Sequence, residues 1–183
     1  PDDVELLSLA GEANLRGRSF TQAAEFFEKA ASLRPKAPGL HTGLALSRLG
    51  NGENGRAVTE LERAAALADS GDRAGLLLAM SYLRAKAPDK AMATVKRMEQ
   101  KANNPLVQNL KGGIDRAKHD LASARTSFEA ALRIDASYMP ALDNLAQLDI
   151  LEGRRADARK RYESALARAP GTAALMEALA RLS

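Results

Sequence analysis

Residues 144–170 read NLAQLDILEGRRADARKRYESALARAP. Leu145, Ala146, Leu148 and Asp149 recur at helical spacing, Gly153 interrupts them, and a second run opens with Ala158 and carries Tyr162 and Ala165 one turn apart each. Pro170 then ends the pattern. Two apolar stripes of period 3.6 separated by a glycine are the pattern of an antiparallel helical hairpin.

The stretch is one instance of a repeat. Ala23, Ala57, Ala91, Ala124 and Ala158 follow one another at intervals of 34, 34, 33 and 34 residues. Four residues after each stands a larger side chain, namely Phe27, Leu61, Val95, Phe128 and Tyr162. Three further on come Ala30, Ala64, Met98, Ala131 and Ala165. Twelve before each leading Ala is another small residue, Gly11, Ala45, Ala79, Gly112 or Ala146, and Ala180 continues that series. With 37 Ala among 183 residues, the small positions alone would recur by chance. The large residues held in register with them would not. A helix of four turns, a short turn and a second helix fill such a period. Small residues where the two cross let their axes approach to about 8 Å.

This register predicts helices over 4–16, 21–34, 38–49, 55–68, 72–85, 89–101, 105–118, 121–134, 139–152, 155–168 and 173–182. Pro38, Pro105 and Pro140 fall in first turns, where the missing N–H costs nothing. Pro35 and Pro170 follow second helices, and Gly17, Gly50, Gly52 and Gly153 fall in the turns within hairpins, where positive φ is expected. No linker divides the chain, so a single array over 1–183 is expected, with repeats at 4–37, 38–71, 72–104, 105–138 and 139–172 and a partial one at 173–183.

Composition agrees. The chain is 45% hydrophobic but only 4% aromatic and has no Trp, which suits closely packed helices and not strands. The net charge of +4 is modest, and its densest basic segment, Arg154 to Arg168, reads as a solvated helix face, so no nucleic-acid partner is expected. Without Cys there are no disulfides, thiolate metal sites or Cys nucleophiles. No apolar run reaches the ~18 residues that span a bilayer. Pro1 is not an initiator residue and Ser183 falls within a helical pattern, so a piece of a longer chain is expected.

On these residues the chain resembles the tetratricopeptide-repeat (TPR) family over essentially its whole length, best in AGEANLRGRSFTQAAEFFEKAASLRP (10–35) and in the stretch quoted first. The resemblance implies an all-α, TPR-type α-solenoid, a right-handed superhelix of antiparallel helix pairs, with about five repeats plus one extra helix. The family's aromatic three residues after the first small one survives only as Tyr82, its place being taken elsewhere by Asn14, Arg48, Asp115 and Asp149. The closing Pro is replaced by Asp69, Asn103 and Ala136. Residues 104–170, with NP…NLKG, then DLASARTSFEAAL, then MPALDNLAQLD, are similar to the TPR lipoproteins of bacterial PEP-CTERM/exosortase systems. That likeness implies a periplasmic or outer-membrane-associated scaffold for exopolysaccharide export or protein sorting. The lipid anchor it implies would lie outside this stretch. A cytoplasmic TPR adaptor, or a repeat domain of a larger enzyme such as a glycosyltransferase, carries the same repeat.

Catalytic constellations are not found. His41 and His119 lack the partners of a metal site, Asp143 and Asp149 point to different faces of one helix, and LGNGENG (49–55) lacks the Lys-Ser or Lys-Thr of a phosphate loop. No enzyme activity, cofactor or metal is expected. What remains is the surface of the first helices, which line the groove of a helical-repeat stack. Its expected stripe runs through Ser8, Glu12 and Arg16, then Thr42, Leu46 and Leu49, then Leu76, Met80 and Leu83. It continues through Asn109 and Arg116 to Asp143, Gln147 and Ile150. Leu46, Leu76, Met80, Leu83, Asn109, Arg116, Asp143 and Gln147 are the candidate contacts for an extended peptide or protein partner. The competing reading is that Leu76, Met80 and Leu83 pack between hairpins. Glu12, Leu46, Met80 and Gly113 stand where a carboxylate-clamping TPR groove needs Lys, Asn or Arg, so that mode is not expected. Apolar ends of the array would favour end-to-end self-association.

Overall fold

The computed structural model describes residues 3–67, 72–100 and 103–182. Among them lie eleven helices and no strand: α1 (Val4–Arg16), α2 (Phe20–Leu33), α3 (Pro38–Gly50), α4 (Asn54–Leu67), α5 (Asp72–Arg84), α6 (Pro88–Glu99), α7 (Pro105–Ala117), α8 (Leu121–Ile134), α9 (Met139–Leu151), α10 (Arg155–Arg168) and α11 (Ala173–Arg181). The expected helix ends agree within two residues, those at 68 and 101 lying outside the described residues. The chain forms two compact units, 1–94 and 95–183. In the first, α1 packs on α2, α2 on α3, α3 on α4 and α4 on α5, and α1 also touches α3. In the second, α7 through α11 pack in the same successive manner.

The repeated small residues make this packing possible. Ala23, Ala57, Ala91, Ala124 and Ala158 have no exposed surface, and Phe27, Leu61, Val95, Phe128 and Tyr162 are all buried. The first-helix small residue receives the large one. A Cβ on Gly11 would lie 2.8 Å from the Phe27 ring, and one on Gly112 would lie 2.5 Å from the Phe128 ring. Phe27 is shared between hairpins, since its other edge would meet a Cβ on Gly43 at 2.5 Å. Glycine therefore accompanies Phe, while Ala45 accompanies the smaller Leu61. Ala180 departs from the series. It is exposed, and α11 instead buries Leu175 and Ala178 against α10.

The helix starts follow from local chemistry. Asp3, Asn104 and Asp120 accept backbone N–H groups at the starts of α1, α7 and α8, at 2.8, 2.9 and 3.0 Å. Pro38, Pro105 and Pro140 sit in first turns as expected. Each of the five turns within hairpins has one residue of positive φ: Arg18 (60°), Gly52 (80°), Lys86 (55°), His119 (63°) and Gly153 (78°). This corrects the expectation for Gly17, whose φ is −76°, and for Gly50, which is helical. In every case the next N–H donates to the carbonyl five residues back, as from Ser19 to Asn14, Glu53 to Arg48 and Arg154 to Asp149, closing a Schellman turn.

Candidate functional site

In the first unit the inner sides of α1 and α3 enclose an open groove of about 880 Å³. Ser8, Glu12 and Arg16 of α1 border it, as do Thr42, Gly43 and Leu46 of α3, with Arg73 and Ala74 at the start of α5. Val4, Leu15, Phe20 and Leu40 supply apolar surface. The ionic groups on the rim are held loosely: Glu12 pairs with Arg16 at 3.9 Å and Glu5 with Arg34 at 4.0 Å, all four well exposed. The Thr42 hydroxyl is already committed, donating to the Pro38 carbonyl at 2.9 Å. The volume suits one or two side chains of an extended segment.

The expected stripe is thus assembled across α1 and α3, with one exception. Leu49 borders a smaller cavity formed with Asn54, Val58 and Ser81 of the neighbouring helices. On α5, Met80 is 47% exposed while Leu76 and Leu83 are half-buried, and none of the three borders the groove.

In the second unit Arg116 and Gln147 meet each other, while Asn109 and Asp143 are bonded to Asn144 and Tyr162, which the sequence reading did not single out as contacts. Asn144 donates to Asn109 at 3.0 Å and Arg116 donates to Gln147 at 3.0 Å, joining the first helices α7 and α9. Asp143 accepts from the Tyr162 hydroxyl at 2.8 Å. Burial and that hydrogen bond push the tyrosine well above its ordinary range. A partner at this face would therefore have to exchange existing hydrogen bonds for its own.

Beneath these surfaces lie two buried ionic knots that sequence reasoning did not anticipate. In the first, the Glu60 carboxylate faces His41 Nδ1 at 2.7 Å and accepts from Arg48 at 3.0 Å and Arg63 at 3.2 Å, while the other His41 nitrogen faces the Pro35 carbonyl at 2.9 Å. Arg48 also reaches Glu28 at 3.1 Å, linking α2, α3 and α4. In the second, buried Asp149 accepts from Arg125 at 2.8 Å, Arg154 at 3.1 Å and Arg161 at 2.5 Å. Burial raises this carboxyl, but hydrogen bonds from Arg161, Arg154 and Arg125 outweigh it and hold the group below the ordinary aspartate range. Asp115, which accepts from the Ser127 hydroxyl at 3.3 Å, is pushed up by its burial. No group of His, Asp or Glu suited to a metal ion occurs among the described residues. His119 is exposed in its turn, as its position implies.

Two family models, each described as tetratricopeptide repeat, match residues 1–38 and 48–114. Among solved structures the chain is similar to PilF of Pseudomonas aeruginosa, with a TM-score of 0.77 and 20% identity over 98% of this chain and 82% of that one. YrrB, a TPR protein with an unusual peptide-binding site, gives a TM-score of 0.67 and 16% identity over 97% of this chain and 92% of its own. A chain of the APC/C hetero-tetramer Cut9-Hcn1 gives 0.72 and 19% over the whole of this chain, which spans 36% of its length. At such identities the likeness is one of fold. No curated protein sequence matches the chain.

Proposed function

We propose, from the premise that the chain belongs to the tetratricopeptide-repeat family, that it is a non-catalytic scaffold which holds an extended segment of a protein partner against its first helices. The groove over α1 and α3 carries this reading, because it combines an apolar floor with weakly paired charges and uncommitted polar groups such as Ser8. An extended peptide needs those features: pockets for side chains and partners for its backbone. YrrB supplies a parallel, as a similarly folded protein with a peptide-binding site. Leu46 anchors the segment here; Leu76, Met80 and Leu83, outside this groove in the first unit, and Asn109, Arg116, Asp143 and Gln147, in the second, are proposed as separate contacts for a partner.

The setting we propose is the bacterial envelope, periplasmic or outer-membrane-associated through a lipid anchor outside this stretch, in support of exopolysaccharide export or PEP-CTERM/exosortase sorting. The wording of residues 104–170 supports it. Cell fractionation of the parent protein tests that setting, and recovery in the cytoplasm alone would overturn it. The binding reading is tested by selecting peptides from a random phage-displayed library and resynthesising those enriched. They should bind the protein and lose about tenfold or more in affinity to Leu46→Glu and to Ser8→Arg. No enrichment, or binding indifferent to both changes, would refute the groove.

A further inference from the structure

The basic segment of α10 reads in sequence as a solvated face, and the structure accounts for most of it. Arg154 pairs with Asp149, Glu152 and Asp157, Arg159 with Glu163, Arg161 with Asp149, and Arg155 donates to the Leu182 carbonyl. Lys160 and Arg168 are left over. Both are exposed, and neither has an ion pair or hydrogen bond among the described residues. Spaced eight apart with Ser164 midway, they lie along one side of the helix, about 12 Å from end to end.

That side borders a cleft of about 350 Å³ between α10 and the α8–α9 connection. Leu132, Leu142 and Ala165 form its floor, and Lys160, Ser164 and Arg168 its rim. Arg161 also reaches the cleft while donating through Nε to Asp149, and the one carboxylate present, Asp157, already faces Arg154 at 3.5 Å. Two uncompensated cations over an apolar floor form a surface complementary to acid and hydrocarbon together. Among the described residues no aromatic side chain borders the cleft, so none offers a nucleobase a stacking surface.

The geometry points to a second docking site, on the second unit, for an acidic peptide segment that places one bulky apolar side chain on Leu132 and Leu142 and sets flanking carboxylates against Lys160 and Arg168. This site is separate from the groove over α1 and α3 and does not depend on it.

Fluorescence anisotropy with three labelled synthetic peptides tests it: Glu-Asp-Glu-Phe-Glu-Asp-Glu, the same peptide with Gln and Asn replacing its acids, and the acidic peptide with Ser replacing Phe. The first should bind, and the other two should bind at least about tenfold more weakly. Lys160→Glu with Arg168→Glu should abolish the difference between the acidic and the neutral peptide, whereas Ser8→Arg should leave binding unchanged. Because both reversed residues are exposed, the variant should melt with the wild type; Lys160→Gln with Arg168→Gln, expected to weaken binding in the same direction, serves if it does not. Equal binding of the Ser peptide, or displacement by heparin or single-stranded DNA as effective as by the acidic peptide, would reduce the site to a general polyanion surface and overturn the proposal. Binding indifferent to the reversal would overturn it as well.

Discussion

Arg161 on α10 donates to Asp149 on α9 at 2.5 Å, and the pair is the charge-reversed counterpart of Glu60 on α4 and Arg48 on α3. In both hairpins the partners stand twelve residues apart, the first of them in the place where the family carries an aromatic. Asp115 and Ser127 fill the same two places in a third hairpin at 3.3 Å. The aromatic's packing role has thus been exchanged for a polar bond between the two helices. Its polarity is free to reverse because each pair lies within its own hairpin.

The two knots should differ in their sensitivity to loss of the acid. Glu60→Leu leaves Arg48 only the exposed Glu28 and His41 only the Pro35 carbonyl, with their side chains 14% and 8% exposed, and should cost about 3 kcal/mol in urea denaturation. Asp149→Leu releases Arg125, Arg154 and Arg161, at 20%, 45% and 28% exposed, which can turn toward water, and should cost less, about 2 kcal/mol. The reverse order would mean that exposure does not govern the penalty.

Acid titration isolates Asp149. Its carboxyl is held below the ordinary range in the folded chain, so the unfolded chain takes up a proton first as the pH falls. The stabilisation is complete above the unfolded value, about pH 4, and is lost as the pH drops through the lower folded value. Asp115, raised by burial, works with the opposite sign and gains relative stability on protonation. Melting temperatures from pH 6 down to about 3 should therefore fall less steeply for Asp149→Asn than for the wild type, and more steeply for Asp115→Asn.

Much of the fold is legible because one steric requirement, repeated at a fixed interval, writes itself into the chain. Gly11 with Phe27 and Gly112 with Phe128 are readable as pairs since no other residue fits beneath those rings. The helix starts are readable from Pro38, Pro105 and Pro140. The turns were harder: Gly17 drew attention, yet the positive φ belongs to Arg18, seven residues after Gly11, just as Gly52, Lys86, His119 and Gly153 stand seven after Ala45, Ala79, Gly112 and Ala146. Looking for glycine finds Gly52 and Gly153, whereas counting from the small residue finds Arg18, Lys86 and His119 as well. Likewise Arg48 and Asp149 read as departures from the family, although Glu60 and Arg161 at a common spacing of twelve carried the explanation. Ser8, Glu12, Arg16, Thr42 and Leu46 could be placed together from helical periodicity, while Leu49 turned away because neighbouring helices, which periodicity cannot see, cover that side of α3.

The fit between Gly112 and Phe128 makes a paired prediction. A methyl at Gly112 would lie 2.5 Å from a ring that is itself wholly buried, so Gly112→Ala should cost about 2 kcal/mol. Phe128→Leu alone leaves a void and costs about 1–2 kcal/mol. Together they reproduce the Ala45 and Leu61 combination of the second hairpin, and the double variant should be more stable than the sum of the single costs by on the order of 1 kcal/mol in a denaturation cycle. Strict additivity would show that the two positions do not share one space.

The turn residues offer a route to a more stable chain. Lys86 and His119 hold φ of 55° and 63°, a region in which a Cβ crowds the backbone, while Gly52 and Gly153 hold the equivalent places without that strain. The backbone bonds are the same in all of these turns: Lys86 donates to Leu83 and His119 to Arg116, as Gly52 does to Leu49 and Gly153 to Ile150. Exchange should therefore alter only the local strain, less the greater freedom glycine gives the unfolded chain. Lys86→Gly and His119→Gly should each add about 0.5–1 kcal/mol in thermal or urea denaturation, and Gly153→Ala should remove about 1 kcal/mol. If His119→Gly destabilised the chain while Gly153→Ala left it unchanged, the five turns would not share one backbone requirement.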